Sequence, residues 1–376
     1  MKLKSIEITG LFKKQNTIKY IFNDDLNIIT GKNGSGKTTI LKLAWLIISG
    51  NIRLAITEIN FSSCKVVTDE YECQVIRVNK NTCKIELIIN SERYYSFEDD
   101  VDIDGDHLPF MVTAEEKAHP HLARLGNTLF FPTFRRIEGG FSLTSNEIYL
   151  SRSIKRAFSD FDEALTDLSK KLSTDNHLFV SAISSRDINN LLLRKYADYS
   201  EKINEYQQKI SAQVIKKISA FEDKNIHNSE IAASNLLSET KKEIEKIESF
   251  RSSALKPLNA VKDLVEKLFK HSGISFGKRL RFGDAAGAVY SDELSAGEKQ
   301  MLSFICYNAF YKDSIIFIDE PELSLHVDWQ RSLYKILRNQ NPSNQFIFAT
   351  HSPFIYGKYP DKEVIINSDR GNTEEE

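Results

Sequence analysis

The stretch from Gly31 to Thr39, GKNGSGKTT, has the residue types and the spacing of a phosphate-binding loop. It matches the pattern GxxxxGK[ST], in which glycines let the backbone curl so that its N–H groups face phosphate oxygens. In that pattern Lys37 reaches the β- and γ-phosphates, and the hydroxyl of Thr38 holds Mg²⁺. The sequence therefore predicts a site for ATP with Mg²⁺. The other loop residues expected to contact the nucleotide are Gly34, Ser35, Gly36 and Thr39.

A strand and a helix must hold such a loop, and the sequence supplies both. The apolar run 26–30 directly before the loop predicts a buried strand, and the run 40–46 after it is typical of a helix. The N-terminus of that helix would add its positive dipole end to the phosphate site. We therefore expect a strand–loop–helix unit to position Lys37 and Thr38.

Three more stretches follow in order along the chain: LSAGEKQ from Leu294, IIFIDEPELSLH from Ile315 and FATHSP from Phe348. Each alone is a weak signal. The first is also compatible with an ordinary helix cap, the second with an acidic turn after a buried strand, and the third with a histidine that ends a strand. Their combination with the upstream phosphate loop, in this order, is far more specific than any one of them.

The ordered set resembles the ABC-type ATPase head that is shared by the SMC, RecF and OLD-like families. The resemblance implies that Asp319 is the Walker B aspartate, which holds Mg²⁺, and that Glu320 polarises the attacking water. It implies that His351 is a second catalytic residue, the switch histidine near the γ-phosphate. It also implies that the side chain of Asn33 approaches the oxygen that bridges the β- and γ-phosphates.

The same resemblance assigns a signature motif to the segment that begins at Leu294. In ATPases of this kind the signature caps the γ-phosphate of the nucleotide that the opposite subunit holds. The resemblance therefore implies a homodimer with composite ATP sites, possibly part of a higher homo-oligomer. The signature residues expected to contact nucleotide are Ser295, Ala296, Gly297 and Glu298.

Two positions depart from the pattern of these families. No glutamine follows the apolar run 128–131, where a Q-loop glutamine is expected, and the sequence there is PTFRRIEGG. Arg135 or Arg136 is a candidate to face the phosphates or the metal, and a basic surface turn is the alternative. His326 stands where the D-loop usually has an aspartate, so the role of this loop across a subunit interface is open.

The predicted fold is α/β: an ABC-type P-loop ATPase head, with a mixed sheet and an antiparallel β subdomain, and an inserted α-helical hairpin domain. Residues 1–150 and 273–376 would form the two parts of the head, and residues 151–272 the insertion. Alternating segments within 64–89 predict an antiparallel meander. Apolar residues three or four apart over 188–221 and 237–268 predict two long helices, with a new helix or a kink at Pro257.

Composition limits the function classes. A net charge of −2 gives no argument for wholesale nucleic-acid binding, although 50 Lys and Arg residues permit a local basic patch, so nucleic acid remains a possible partner. The four cysteines lack C-x₂₋₄-C spacing, so we do not expect a zinc site. No long apolar run or signal-peptide pattern is present in the sequence, which predicts a cytoplasmic protein without a membrane partner.

Two classes of function remain. In the segments PTFRRIEGG, which follows residues 128–131, and SRDINN, which begins at Ser185, the chain resembles the ATPase subunits of bacterial anti-phage defence systems such as Septu, PARIS, OLD-like and retron systems. That resemblance implies a sensor and regulatory scaffold that hydrolyses ATP and controls a separate effector, a nuclease or a toxin. The alternative is a RecF- or SMC-like ATPase of DNA repair or recombination that binds DNA.

Overall fold

The computed structural model describes residues 1–13, 16–100, 112–133, 136–137, 167–174, 176–183, 185–222, 230–268 and 295–366. The chain divides into two compact units. The first contains Met1–Ser184, Ser295–Phe304 and Tyr311–Glu376, and the second contains Ser185–Leu294 and Ile305–Phe310. The boundaries predicted at 150 and 272 lie outside the described residues, so the predicted limits of the insertion stay a prediction.

The strands among the described residues belong to the first unit. They are β1 (Leu3–Thr9), β2 (Thr17–Ile21), β3 (Leu26–Thr30), β4 (Ser63–Thr68), β5 (Tyr71–Arg77), β6 (Cys83–Ile89), β7 (Arg93–Glu98), β8 (Asn127–Phe131), β9 (Arg136–Ile137), β10 (His177–Phe179), β11 (Ala182–Ile183), β12 (Ser314–Asp319), β13 (Gln345–Ala349) and β14 (Glu363–Ile365). The helices are α1 (Lys37–Ile48), α2 (Ile52–Glu58), α3 (Ala114–Leu122), α4 (Ser185–Glu222), α5 (Glu230–Leu268), α6 (Ala296–Phe310), α7 (Val327–Gln340) and α8 (Pro353–Tyr356).

One sheet of the first unit is antiparallel, with the strand order β2-β1-β4-β5-β6-β7. Its central strands alternate buried and half-buried residues, as in β4, because one face packs on the core. The predicted meander is confirmed, since β4 pairs with β5 and β5 with β6 in antiparallel register.

The other large sheet is parallel throughout, with the order β10-β8-β12-β13-β3-β14. All residues of β3, β12 and β13 are buried, which explains their continuous apolar runs. The predicted α/β class is confirmed, with parallel and antiparallel strands divided between two sheets. In parallel sheets ligands bind at the carboxyl ends of the strands, and this edge carries the P-loop after β3 and Asp319 at the end of β12.

Helix α1, which begins at the P-loop, contacts strands of both large sheets. Its Trp45 is fully buried, and the ring centroids of Phe130 and Phe179 lie 5.3 and 5.4 Å from its own. The indole Nε1 donates a hydrogen bond to Thr128 Oγ1 at 3.0 Å. Because the indole ring is packed against two other rings and its N–H is hydrogen-bonded, Trp45 prevents rotation of α1 about its axis. The helix in turn holds the phosphate loop in place.

The second unit is built on α4 and α5, which run antiparallel as the sequence predicts. The rings of Tyr206 and Phe250 stack at 4.2 Å, and Lys217 Nζ lies 3.3 Å from Glu239 Oε2. Pro257 lies inside α5. Of the two predicted alternatives at this residue, a new helix is therefore wrong, and a kink stays a prediction. Neither these helices nor any other in the described ranges has the length and apolarity needed to cross a membrane.

Candidate active site

Three glycines of the P-loop adopt backbone angles that other residues rarely adopt. The φ angles are 152° at Gly31, 81° at Gly34 and 99° at Gly36. A Cβ on Gly31 would lie 2.8 Å from the carbonyl oxygen of Ile366, and space around Gly34 is open on its outer side. The loop therefore needs glycine both for its left-handed turns and for close backbone packing.

Lys37 is the first residue of α1 and is only 4% exposed. Its Nζ donates hydrogen bonds to the carbonyl oxygens of Gly31 at 3.0 Å and Lys32 at 3.2 Å. Burial lowers the pKa of Lys37, while the charges of Glu320 and Asp319 oppose that shift. The amine thus points into the P-loop, where phosphate oxygens would be stronger acceptors than carbonyls.

Three oxygen-bearing side chains meet at the end of β12. Thr38 Oγ1 donates to Asp319 Oδ1 at 3.1 Å, and Thr133 Oγ1 donates to Asp319 Oδ2. Asp319 is fully buried. Hydroxyl and carboxylate oxygens are the ligands that Mg²⁺ prefers, so this donor set fits the predicted metal.

Thr133 is a site residue that the sequence interpretation missed. It follows β8 by two residues, and β8 lies beside β12 with Phe131 paired to Ile318. In the absence of a Q-loop glutamine, the sequence instead offers the two arginines that come next as candidates to face the phosphates or the metal. Arg135 lies outside the described residues, and Arg136 begins β9, so neither candidate role is tested.

Glu320 follows Asp319 in a strained turn with φ 49°, and its backbone N–H donates to Ala349 O at 2.8 Å. Burial, a hydrogen bond with Glu322 and the charges of Glu322 and Asp319 raise the pKa of Glu320 to about 8. His351 Nε2 lies 3.6 Å from Glu320 Oε1. Burial and the charge of Lys37 lower the pKa of His351, which favours its neutral form.

The signature residues make a different set of contacts. Ser295 N donates to Glu298 Oε2 at 2.8 Å and Glu298 N donates to Ser295 Oγ at 3.3 Å, which is a reciprocal cap at the start of α6. A Cβ on Gly297 would lie 2.2 Å from the carbonyl oxygen of Ser324. Ala296 begins the helix between them. The signature is therefore packed against the loop that follows Asp319 and Glu320 in the same chain.

The remaining candidates differ in exposure. Asn33 and Gly34 are exposed at the tip of the P-loop, Ser35 is buried, and Thr39 is half-buried on the first turn of α1. His326 caps α7, with its ring nitrogen Nδ1 accepting from Asp328 N at 3.4 Å. This contact gives His326 a local structural role.

Comparisons with known proteins agree with the P-loop geometry. The family model described as an AAA ATPase domain matches residues 1–356. The "Retron Vc95 probable ATPase" of Vibrio cholerae serotype O1 biovar El Tor is 24% identical over 399 aligned positions, which cover 98% of this chain and 74% of that protein. The "Endonuclease GajA" of Bacillus cereus (strain VD045) is 36% identical over 75 positions, 18% of this chain and 13% of that protein.

Among solved structures, the SMC head domain from Thermotoga maritima is similar at 13% identity, with 95% of this chain and 92% of that one covered. The TM-score is 0.37.

Proposed function

The chain belongs to the AAA ATPase domain family and is an ATPase, and on this premise we propose that it is the regulatory ATPase of an anti-phage defence system. In this role it controls a separate effector, a nuclease or a toxin. The observation that carries the proposal is the similarity to the retron Vc95 probable ATPase, which covers 98% of this chain and therefore both of its compact units.

The proposed roles in hydrolysis follow from the geometry around Asp319. Lys37 binds the β- and γ-phosphates of ATP from within the P-loop. Thr38 and Asp319 hold Mg²⁺, which when bound neutralises charge on the phosphates. Glu320 takes up the proton of the attacking water in its ionised form, which the charge of Lys37 favours, and His351 contacts the γ-phosphate.

The variant Glu320→Gln tests this assignment. The amide keeps the shape of the side chain but cannot take up the proton, so ATP stays bound and kcat falls by about 10²–10⁴-fold. The matched control is Glu92→Gln, in the exposed turn between β6 and β7, which should hydrolyse ATP as the parent does. Normal turnover by Glu320→Gln would show that another group activates the water.

We further propose that the complete site forms between two subunits, with the signature of one chain closing the nucleotide of the other. ATP would then favour the closed dimer because it contacts both subunits in that state. A mixing experiment tests this proposal. Lys37→Ala and Ser295→Arg chains, each inactive alone, should regain activity together because some dimers contain one intact composite site.

Two results would contradict the shared site. The first is full ATPase activity of the parent chain at dilutions where light scattering shows only monomer. The second is an inactive mixture although fluorescence transfer shows that subunits have exchanged. As a control for exchange, a mixture of Lys37→Ala with the parent chain should retain the ATPase activity that the parent chain contributes.

The defence role is tested in cells that carry the chain with its neighbouring genes. Phage infection should be restricted by the parent system and not by Lys37→Ala, because nucleotide binding would set the state of the effector. Purification of the native chain should also retrieve a neighbour-encoded nuclease or toxin. Equal restriction by both systems, with expression verified, would exclude ATP-dependent control of defence.

A further inference from the structure

Glu322 lies two residues after Glu320 and reaches towards the end of the neighbouring strand. Its Oε1 accepts a hydrogen bond from the backbone N–H of His351 at 2.8 Å. Because that N–H belongs to His351 itself, the bond fixes the backbone position from which the imidazole extends. Glu322 is half-buried, whereas His351 is exposed, so the bond itself lies in reach of water.

The turn that carries His351, residues 350–352, has a second brace. Ser352 Oγ donates to Gln330 Oε1 at 2.6 Å, and Gln330 Nε2 donates to the carbonyl oxygen of Leu325 at 2.8 Å. Residues 320–325, here the Walker B loop, are thus bonded to the histidine turn by two routes. The route through Glu322 is direct, and the route through Gln330 passes by helix α7.

The Walker B loop is itself held in an unusual shape. Glu320 and Ser324 have positive φ angles of 49° and 64°, a conformation that costs non-glycine residues free energy. Backbone bonds from Leu323 N to Glu320 O at 3.2 Å and from Leu325 N to Glu322 O at 2.9 Å close the loop. This geometry turns the carboxylates of residues 320 and 322 towards the histidine turn together.

We propose that Glu322 is a positioning residue that holds His351 beside Glu320 during ATP hydrolysis. The inference rests on the roles proposed above for Glu320 and His351. In this role the Glu322 side chain supplies a hydrogen-bond acceptor, and it has the length needed to reach His351 N from the Walker B loop. The charge of Glu322 also acts on Glu320. The contact with His351 depends on the acceptor oxygen, because its donor is a neutral backbone N–H.

Two substitutions separate the effect of the length of the Glu322 side chain from the effect of its charge. Glu322→Gln keeps the length of the side chain and an acceptor oxygen for His351 N but removes the charge that also acts on Glu320, so its loss of kcat should be smaller than that of Glu322→Asp. Glu322→Asp keeps the charge but is shorter by one methylene, so the bond to His351 N is lost and kcat should fall about tenfold. ATP affinity, measured by calorimetry with a slowly hydrolysed analogue, should be unchanged in both. If the aspartate variant is active and the glutamine variant is not, the charge matters and the proposal is overturned.

A double-mutant cycle shows whether Glu322 acts through the imidazole. In a His351→Ala background the backbone N–H remains but the imidazole is absent, so Glu322→Asp should cause no further loss of kcat. An equal tenfold loss in both backgrounds would overturn the inference and leave the proposed site intact. An unchanged kcat in His351→Ala alone would instead contradict the proposed role of His351, and the inference with it.

Thermal melting of every variant serves as the control for correct folding. The kcat comparison is made among variants that melt within about 2 °C of the parent. If Glu322→Asp melts earlier, Gln330→Glu supplies the second measurement, since it replaces the amide donor to Leu325 O and loosens the other brace. A tenfold loss of kcat at unchanged ATP affinity is expected there as well, and parent-like turnover would count against positioning of the turn.

Discussion

The charged groups at the P-loop of the first unit and those between α4 and α5 of the second are held in opposite ways. In the first unit, Asp319 and Lys37 are buried and bonded to specific partners. In the second unit, the ion pair between Lys217 and Glu239 leaves the two side chains 42% and 60% exposed. Buried charges must be matched one by one, whereas exposed pairs are weak and screened. Single substitutions should therefore have large effects at the buried charges around Asp319 and small ones at exposed ion pairs such as that between α4 and α5.

Apolar side chains show the same contrast. The parallel sheet buries every residue of three strands. In the helical pair, Ile215, Leu237 and Ile244 remain 64%, 71% and 54% exposed. A two-helix unit has one seam to bury, so apolar residues beside the seam stay in solvent. The predictions below test how far this contrast extends to function and stability.

The largest effect is expected for Lys37→Ala. The substitution removes the buried amine from the P-loop and with it the charge-assisted bonds to phosphate. ATP affinity measured by calorimetry should fall at least about a hundredfold. The matched control is Lys42→Ala on the same helix, whose partly exposed amine pairs with Glu58. If both variants bind ATP as the parent does, the P-loop assignment is wrong.

An intermediate effect is expected for Thr133→Val, which removes the hydroxyl bonded to Asp319 and keeps the shape. The Mg²⁺ concentration needed for half-maximal ATPase activity should rise about tenfold. Mn²⁺ binding in the presence of an ATP analogue, followed by electron paramagnetic resonance, should weaken to the same degree. Thr133→Ser retains the hydroxyl and should restore both values. A serine variant as impaired as the valine one would exclude the hydroxyl as the cause.

His177 predicts a pH effect on the stability of the first unit. It is fully buried, and burial, with His119 nearby, lowers its pKa from 6.5 to about 4. Thr128 Oγ1 accepts from Trp45, so its proton can be donated to His177 Nδ1, 2.9 Å away, and Nε2 can donate to Leu122 O at 3.3 Å. This arrangement satisfies the neutral ring.

Below pH 6.5 the unfolded chain binds a proton that the folded chain does not bind until about pH 4. The free energy of unfolding should therefore fall by about 3 kcal/mol as the pH decreases across this window. Urea titrations between pH 4 and 7 measure it. His177→Gln should lose this pH dependence and the exposed His326→Gln should keep it. The same slope in both variants would assign the effect to other groups.

The sequence predicts the parts of the site that depend on local signals. The P-loop glycines and the continuous apolar runs before Asp319 and His351 are such signals, because each motif is encoded within a few residues. Thr133 and Glu322 are common residue types. They gain a role only from the register of β8 against β12 and from the left-handed turn at Glu320, which no local pattern encodes.

The helical unit shows the converse. Periodicity predicts both long helices, but it leaves open whether α5 continues through Pro257 with a kink or ends there. Proline inside a helix costs about 3 kcal/mol or more, which favours a break in isolation. Beyond it, Leu258, Val261 and Val265 are all buried. Burial of these side chains offsets the lost backbone bond, and this is a tertiary effect that the propensity of one residue cannot reveal.

The smallest effect is expected for Lys217→Ala, which removes both ion pairs between α4 and α5, to Glu239 at 3.3 Å and to Glu243 at 3.6 Å. The melting temperature should fall by less than about 2 °C, because exposed pairs gain little over their hydrated, separated state. This difference should vanish in 1 M salt, where the screening length is about 3 Å. Lys209→Ala, an exposed lysine of the same helix, is the control, and kcat for ATP should stay within twofold of the parent in both. A tenfold loss of kcat in Lys217→Ala, with Lys209→Ala unaffected, would contradict the contrast between the units. ATP hydrolysis would then depend on an exposed charge of the helical pair as strongly as on the buried charges around Asp319.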